Sequence, residues 1–250
     1  MQDAPAGLSI VQLIESGTVD ARTAALVWLT LERHGSVLVA ALPQQAGKST
    51  VLGALLDLLP PSGACVHLAG TAETFAFLRE TTPRDTLLLA NELSSHLPIY
   101  LWGAQAIRTF AAVADGYAIA GTLHADSAGD AIALLRDECG IPAAQLARID
   151  LIVVIQVTAE GEQITERRVA GVYRTLPGTA GPDTAPLVTW DPTTARWEHD
   201  GGAETALAGP DLDARATLLT DLARRGIRAN SAVHAALAEF HTSKMNGVRP

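Results

Sequence analysis

The chain has 250 residues, 48% of them hydrophobic, with a mean hydropathy of +0.20, enough apolar material for one sizeable core and too much for a mostly disordered chain. Its 18 basic and 27 acidic side chains leave a net charge of −9, which argues against a nucleic-acid partner, whose phosphates demand a basic footprint. Two cysteines without metal-like spacing, Cys65 and Cys139, exclude a disulfide framework and read as two buried thiols.

The first residues, Met1-Gln2-Asp3-Ala4-Pro5, show no basic stretch followed by an apolar one, so no signal peptide is expected. No uncharged run reaches the ~18 apolar residues of a membrane span, and a soluble, cytoplasmic protein is expected. Two helical pieces come first: SIVQLIESG, ending at Gly17, and VDARTAALVWLTLERHG, ending at Gly35, with Asp20 as the N-cap of the second. Val37 to Ala41 is a short apolar run, the loop LPQQAGKST follows, and Val51 to Leu59 repeats apolar residues at helical spacing before Pro60-Pro61. Further strands are expected at Cys65–Leu68, Thr86–Ala90, Ala118–Thr122 and Leu151–Val157, with helices at Ile99–Ala114 and Ser127–Asp137. Strands alternating with helices predict an α/β fold with a mainly parallel sheet covered on both faces. From about residue 160 the texture changes: a turn at Glu160-Gly161-Glu162, an antiparallel strand ITERRVAGVYRT, a hairpin in WDPTTARWEHD, and two C-terminal helices broken at Gly226.

Chemistry concentrates in three places. Ala46-Gly47-Lys48-Ser49-Thr50, after a strand and before a helix, is the core of a P-loop, in which consecutive backbone N–H groups curl around a phosphate at a helix N-terminus. Pro43, Gln44, Gln45, Ala46, Gly47, Lys48, Ser49 and Thr50 are the candidate nucleotide-binding residues. Lys48 is placed to reach the β- and γ-phosphates, and the Ser49 hydroxyl to ligate Mg²⁺. The full pattern needs glycine at 42, where this chain has leucine, and a GKST tetrapeptide also occurs by chance; the strand before it and the helix after it favour the P-loop. The second place is the apolar strand Thr86–Ala90 running into Asn91-Glu92, where Glu92 would order Mg²⁺ or polarise a water. The third is GYAIAGTLHADSA, which puts His124 at the C-terminal rim of a strand, where open α/β sheets bind ligands. A lone histidine there is more often structural. The other histidines, His34, His67, His96, His199, His234 and His241, read as surface or packing residues.

Together these elements resemble the motor ATPases of type II and type IV secretion, pilus and archaellum machines. RIDLIVVIQVTAEGEQITERRVAGVYR is similar to the strand pair that follows the family's histidine box, and LLTDLARRGI with AVHAALAEF resembles the tail helices of its archaeal and tight-adherence branch. The resemblance spans about residues 8–245. It implies a RecA-like P-loop NTPase core over 1–158, with residues 159–250 as a strand, hairpin and helical appendage of the same domain. It further implies ATP and Mg²⁺ as ligands, Glu92 and His124 as catalytic residues, and a hexameric homo-oligomer. A secretion or pilus platform protein in the membrane is the implied partner, and the inner face of the cell membrane the implied place.

The departures are specific. Leu42 is expected to loosen the start of the loop, the family's acidic pair is reduced to Glu73, and Ser94-Ser95 stand where the family has an Arg-Asp pair. The arginine-bearing N-terminal domain is expected to be missing, while Arg79 and Arg84 lie in the segment that approaches the Glu92 strand. The tail from Arg215 carries six basic residues against Asp221 and Glu239, either a solvated face or a contact for an acidic partner or membrane surface. Three readings remain at this stage: an ATP-hydrolysing motor domain, a degenerate nucleotide-binding regulatory or assembly subunit, and, ranked last, a small-molecule kinase.

Overall fold

A computed structural model describes residues 7–60, 63–95, 97, 99–161, 163–178, 181–208 and 210–245. The first residues Met1–Pro5, the Pro61 stop, His96, the turn residue Glu162 and Arg249 lie outside them.

Local signals in the sequence start the chain correctly. Helix α1 (Ile10–Glu15) opens on a capping box, in which Ser9 Oγ accepts from the Gln12 N–H and Gln12 Oε1 accepts from the Ser9 N–H at 3.0 Å. Helix α2 (Ala21–Glu32) is capped by Asp20, whose carboxylate accepts from the Thr23 N–H at 2.7 Å. Strand β1 (Val37–Ala40) is wholly buried, and α3 (Lys48–Leu56) follows its loop. Next come β2 (Ala64–His67), α4 (Phe77–Glu80), β3 (Thr86–Ala90), α5 (Gly103–Ala114), β4 (Ala118–Leu123), α6 (Ala128–Asp137) and α7 (Ala143–Leu146). Strand β5 (Leu151–Glu160) and the three strands that continue from it antiparallel, β6 (Gln163–Leu176), β7 (Asp183–Asp191) and β8 (Arg196–His199), lead into α8 (Gly201–Ala208), α9 (Pro210–Arg224) and α10 (Asn230–Met245).

All eight strands form one sheet in the order β2-β3-β4-β1-β5-β6-β7-β8. The first five are parallel and read 5-1-4-3-2 from the middle outward, so β1 lies between β4 and β5, and β4 separates β1 from β3. The fold is the expected one: a mixed α/β sheet, parallel in its first part, followed by an antiparallel hairpin region and C-terminal helices. Alternation along the strands splits the core into two layers. Val37, Val39, Leu151, Val153 and Ile155 face α1, α2, α3, α9 and α10, while Leu38, Ala40, Ile119, Ile152 and Val154 face α5, α6 and α7.

Register places the later strands past the end of β1. Ala40, its last residue, pairs with Val154, so residues 155–160 of β5 run on about 20 Å further at about 3.3 Å per residue. Strand β6 accompanies them, with Ile155 opposite Val169 and Val157 opposite Arg167. Between Val154/Ile155 and their partners the ladder slips by one residue, a bulge at Ala170. The extra residue lets Val169 and Val172, three apart, face the same core layer.

Several boundaries differ from expectation for physical reasons. Helix α3 begins at Lys48 rather than Val51, because Gly47 at φ 88° turns the chain into the helix. Helix α5 begins at Gly103 rather than Ile99, because Leu101 bridges Leu93 and donates its N–H to the Glu92 carbonyl at 2.8 Å, holding that segment extended. Cys139 is buried as expected, but Cys65 is exposed because β2 is an edge strand. The basic tail is no uniform solvated face. Arg215 is fully buried, hydrogen-bonded to Glu32 and lying over the Trp28 ring, while Arg225 pairs with Asp221 and Arg228 with Glu15.

Candidate functional site

The loop from Leu42 to Gly47 leaves β1 in the middle of the sheet and closes on the N-terminus of α3. Two of its residues are left-handed, Gln45 at φ 61° and Gly47 at φ 88°. Gly47 is the N-cap and no side chain caps the helix, so the N–H groups of its first turn face the loop's interior. An anion at that place meets both those donors and the positive end of the helix. Ala46 is buried beneath the loop, Pro43, Gln44 and Gln45 are exposed above it, and Ser49 and Thr50 stand exposed on the first turn. Leu42 is absent from the positive-φ residues, so the backbone there needs no glycine, and the expectation that leucine loosens the loop is corrected.

Lys48 turns back under the loop and is buried. Its Nζ donates to the Ala41 carbonyl at 3.4 Å and lies 3.9 Å from Glu92 Oε2 and 3.1 Å from His124 Nδ1. Burial pulls its pKa down from the ordinary lysine value, and the Glu92 carboxylate opposes that fall. Glu92 is 7% exposed. Its Oε2 stands 3.3 Å from Thr122 Oγ1, and its Oε1 lies 2.7 Å from His124 Nε2, off the line of a directed hydrogen bond. His124 Nδ1 is also 3.0 Å from the Leu42 carbonyl. One ring nitrogen cannot donate to that carbonyl and accept from Lys48 at once, so the tautomer of His124 selects between the two contacts. The fold accounts for the meeting: β1, β4 and β3 are neighbours, Glu92 and His124 follow the C-terminal ends of β3 and β4, and the loop after β1 brings Lys48 at the start of α3.

These groups line a cleft of about 940 Å³ that also includes Gln44 to Val51. Its far wall was not foreseen. Thr165, Glu166, Arg167 and Arg168 of β6 line the cleft, together with Leu8, Leu13, Ser16 and Thr18 around α1. Arg168 is fixed by the Gly17 carbonyl at 2.9 Å, by Glu166 at 3.1 Å and by the Trp190 ring 4.0 Å from its guanidinium carbon. Arg167 donates from Nε to the Gln45 carbonyl at 3.2 Å. The signal that could have found them is the hairpin turn, which sets residues 163–168 opposite the strand beyond β1.

Other candidates lie elsewhere. The Glu73 carboxylate accepts from the N–H groups of Ala69 at 2.9 Å and Phe75 at 2.7 Å, and so fastens its own turn. Arg79 and Arg84 are exposed and do not line the cleft. His199 is neither a surface nor a simple packing residue: its Nδ1 is 2.7 Å from Glu204 and its Nε2 is 2.9 Å from Asp20. Among the described residues no group of three His, Cys, Asp or Glu side chains could hold a metal by itself. The site nevertheless fits a hydrated Mg²⁺ brought in with phosphate, because the buried Glu92 Oε1, which accepts no directed hydrogen bond, and the exposed Ser49 hydroxyl offer oxygen ligands. No helix of the described residues is long and apolar enough to cross a membrane.

No family model matches the sequence, and no curated protein matches it. Among solved structures, the chain is similar to the VirB11 ATPase from the Brucella suis type IV secretion system, in complex with sulphate. That match has 20% identity and a TM-score of 0.38, covering 60% of this chain and 52% of the other. It is also similar to the Legionella pneumophila ATPase DotB, with 15% identity and a TM-score of 0.33, covering 77% of this chain and 53% of that one. The chain spans about half the length of each. Both superpositions are loose, and the fold assignment stands on the strand order of the chain itself.

Proposed function

We propose that the chain is an ATP-binding, ATP-hydrolysing motor domain of a type II or type IV secretion or pilus-assembly system. The observation that carries the reading is the convergence of Lys48, Glu92 and His124 from three adjacent strands beneath a loop whose N–H groups face a large cleft. Pro43 to Gly47 cradle the phosphates, Lys48 supplies the charge beneath them, and Ser49 and Thr50 complete the first turn of α3. Ser49 and Glu92 would hold Mg²⁺, which when bound would screen the phosphate charge. Glu92 orients the attacking water and accepts its proton, and His124 reports on the terminal phosphate through its contact with Glu92. Phosphoryl transfer depends mainly on such positioning and charge stabilisation.

The chain works as a homo-oligomer, by family resemblance a hexamer, at the inner face of the membrane against a secretion or pilus platform protein. Residues 1–158 are its ATPase core and 159–250 an appendage of the same domain. A second reading, a nucleotide-binding regulatory or assembly subunit with little turnover, is favoured by one observation: Glu73 is spent on its own turn, which leaves Glu92 without a partner carboxylate from that segment.

Phosphate release by wild type, Lys48→Ala and Glu92→Gln, with ATP affinity measured in parallel, tests both. Lys48→Ala is expected to weaken ATP binding at least about tenfold. Glu92→Gln should keep binding and lose about 10²-fold or more of the turnover. Equal binding by Lys48→Ala would sink the nucleotide site, and bound ATP without turnover in wild type would leave the regulatory reading.

A further inference from the structure

We propose that Arg167 is a phosphate-binding residue of this cleft, a cation delivered within the same chain by the part of β5–β6 that overhangs the loop. The proposal rests on the nucleotide-binding reading and adds a residue that the loop motif does not contain.

The geometry is specific. The Arg167 side chain is laid along the loop: Nε donates to the Gln45 carbonyl at 3.2 Å, and Cδ stands 3.2 Å from where a Cβ on Gly47 would be. Its strand is held from both sides. The Val169 N–H donates to the Thr18 carbonyl at 2.7 Å, and the bulge at Ala170 fixes which face Arg167 takes. Arg168 next to it is spent on Gly17, Glu166 and Trp190. No carboxylate among the described residues pairs with Arg167, so its two terminal nitrogens keep their charge for the cleft.

Electrostatics gives that charge a purpose. Lys48 sits 3.9 Å from Glu92, so the buried pair carries little net charge toward a ligand. A nucleotide's phosphate chain brings several negative charges to a loop whose own cation, Lys48, is partly offset by Glu92. A guanidinium presents a planar fork that matches phosphate oxygens two at a time, and it keeps its proton at any working pH.

The test is calorimetric titration of the full-length protein with ADP and with a slowly hydrolysed ATP analogue plus Mg²⁺, at low and high salt, for wild type, Lys48→Ala, Arg167→Ala and Arg167→Lys. Arg167→Ala is expected to bind at least about fivefold more weakly and with a shallower salt dependence, while Arg167→Lys, which keeps the charge and loses the fork, loses less than Arg167→Ala. Wild type that binds no nucleotide, or Lys48→Ala that binds as wild type does, overturns the nucleotide reading and this proposal with it. If wild type binds and Lys48→Ala does not, but Arg167→Ala matches wild type, the proposal falls and the reading stands. Equal losses in Arg167→Ala and Arg167→Lys would make the side chain a strut for Gln45 and overturn its charge role.

Discussion

At Leu42 the main chain, not the side chain, meets the site. The side chain is 53% exposed, while the carbonyl receives His124 Nδ1 at 3.0 Å. Leu42→Gly keeps that carbonyl and relieves no strained φ, so nucleotide affinity should stay within about twofold of wild type in a calorimetric titration. Gln45 is the position that bears conformational cost, with a left-handed φ of 61° on a residue that has a Cβ. A β-branched residue tolerates that conformation poorly. Gln45→Val should therefore lower stability by about 1 kcal/mol or more, and Gln45→Gly should not, as thermal unfolding will show. Glu92 and His124 could be picked out of the sequence because each closely follows an apolar strand, and Lys48 because it stands in the AGKST loop between a strand and a helix. Arg167 could not, since an arginine pair in a polar strand carries no local signal of what it overhangs.

Among the elements, those with explicit start signals were legible. Ser9 and Asp20 cap α1 and α2, Ser127 caps α6, and the apolar runs of β1, β3 and β4 sit where the pattern puts them. Ser9→Ala removes the hydroxyl arm of the capping box, leaving the backbone arm to Gln12, and should cost about 1 kcal/mol, read as a lowered melting temperature with unchanged nucleotide binding. Helices α4, α7 and α8, of four to eight residues, were not expected, because so few residues show no period. The bulge in β6 was equally hidden. It follows from the need to bury both Val169 and Val172, a tertiary requirement that no neighbouring residue announces. The loop itself joins the two levels: Gly47→Ala would force a Cβ at φ 88° and 3.2 Å from Arg167 Cδ, so it should weaken nucleotide binding more than Leu42→Gly does in the same titration.

Across the whole molecule, α2 is bound by charge to β8, α8 and α9 from the far end of the chain. Asp20 and Glu204 grip His199 from opposite sides, and Arg22 joins Glu204 and Asp213 at 2.7 Å each. Burial alone would lower the His199 pKa, but its hydrogen bonds to Asp20 and Glu204 outweigh burial and raise it above 6.5. A histidine raised in the folded state contributes stability that is full below about pH 6.5 and is lost as pH rises through the folded pKa. Melting temperature should therefore fall as pH rises above about 6.5, and His199→Gln should flatten that slope; an unchanged slope in the variant would release His199 from the role. Asp20 acts oppositely. Burial raises its pKa, its bonds to His199 and Thr23 lower it further than burial lifts it, and its share is lost only as pH falls through that lowered value. The layer these charges fasten has a consequence in time. Trp28 in α2 is roofed by Arg215 and Phe240, and Val51 and Leu55 of α3 share their core with Leu219, Leu222, Val233 and Leu237. A chain leaving the ribosome N-terminus first thus makes its phosphate loop early and its covering helices last. Until those helices emerge, the sides of α2 and α3 that they cover stay bare to water, and such non-local closure is slow. For the length of that delay, about two hundred residues of the chain are a client for whatever shields apolar surface in the cell.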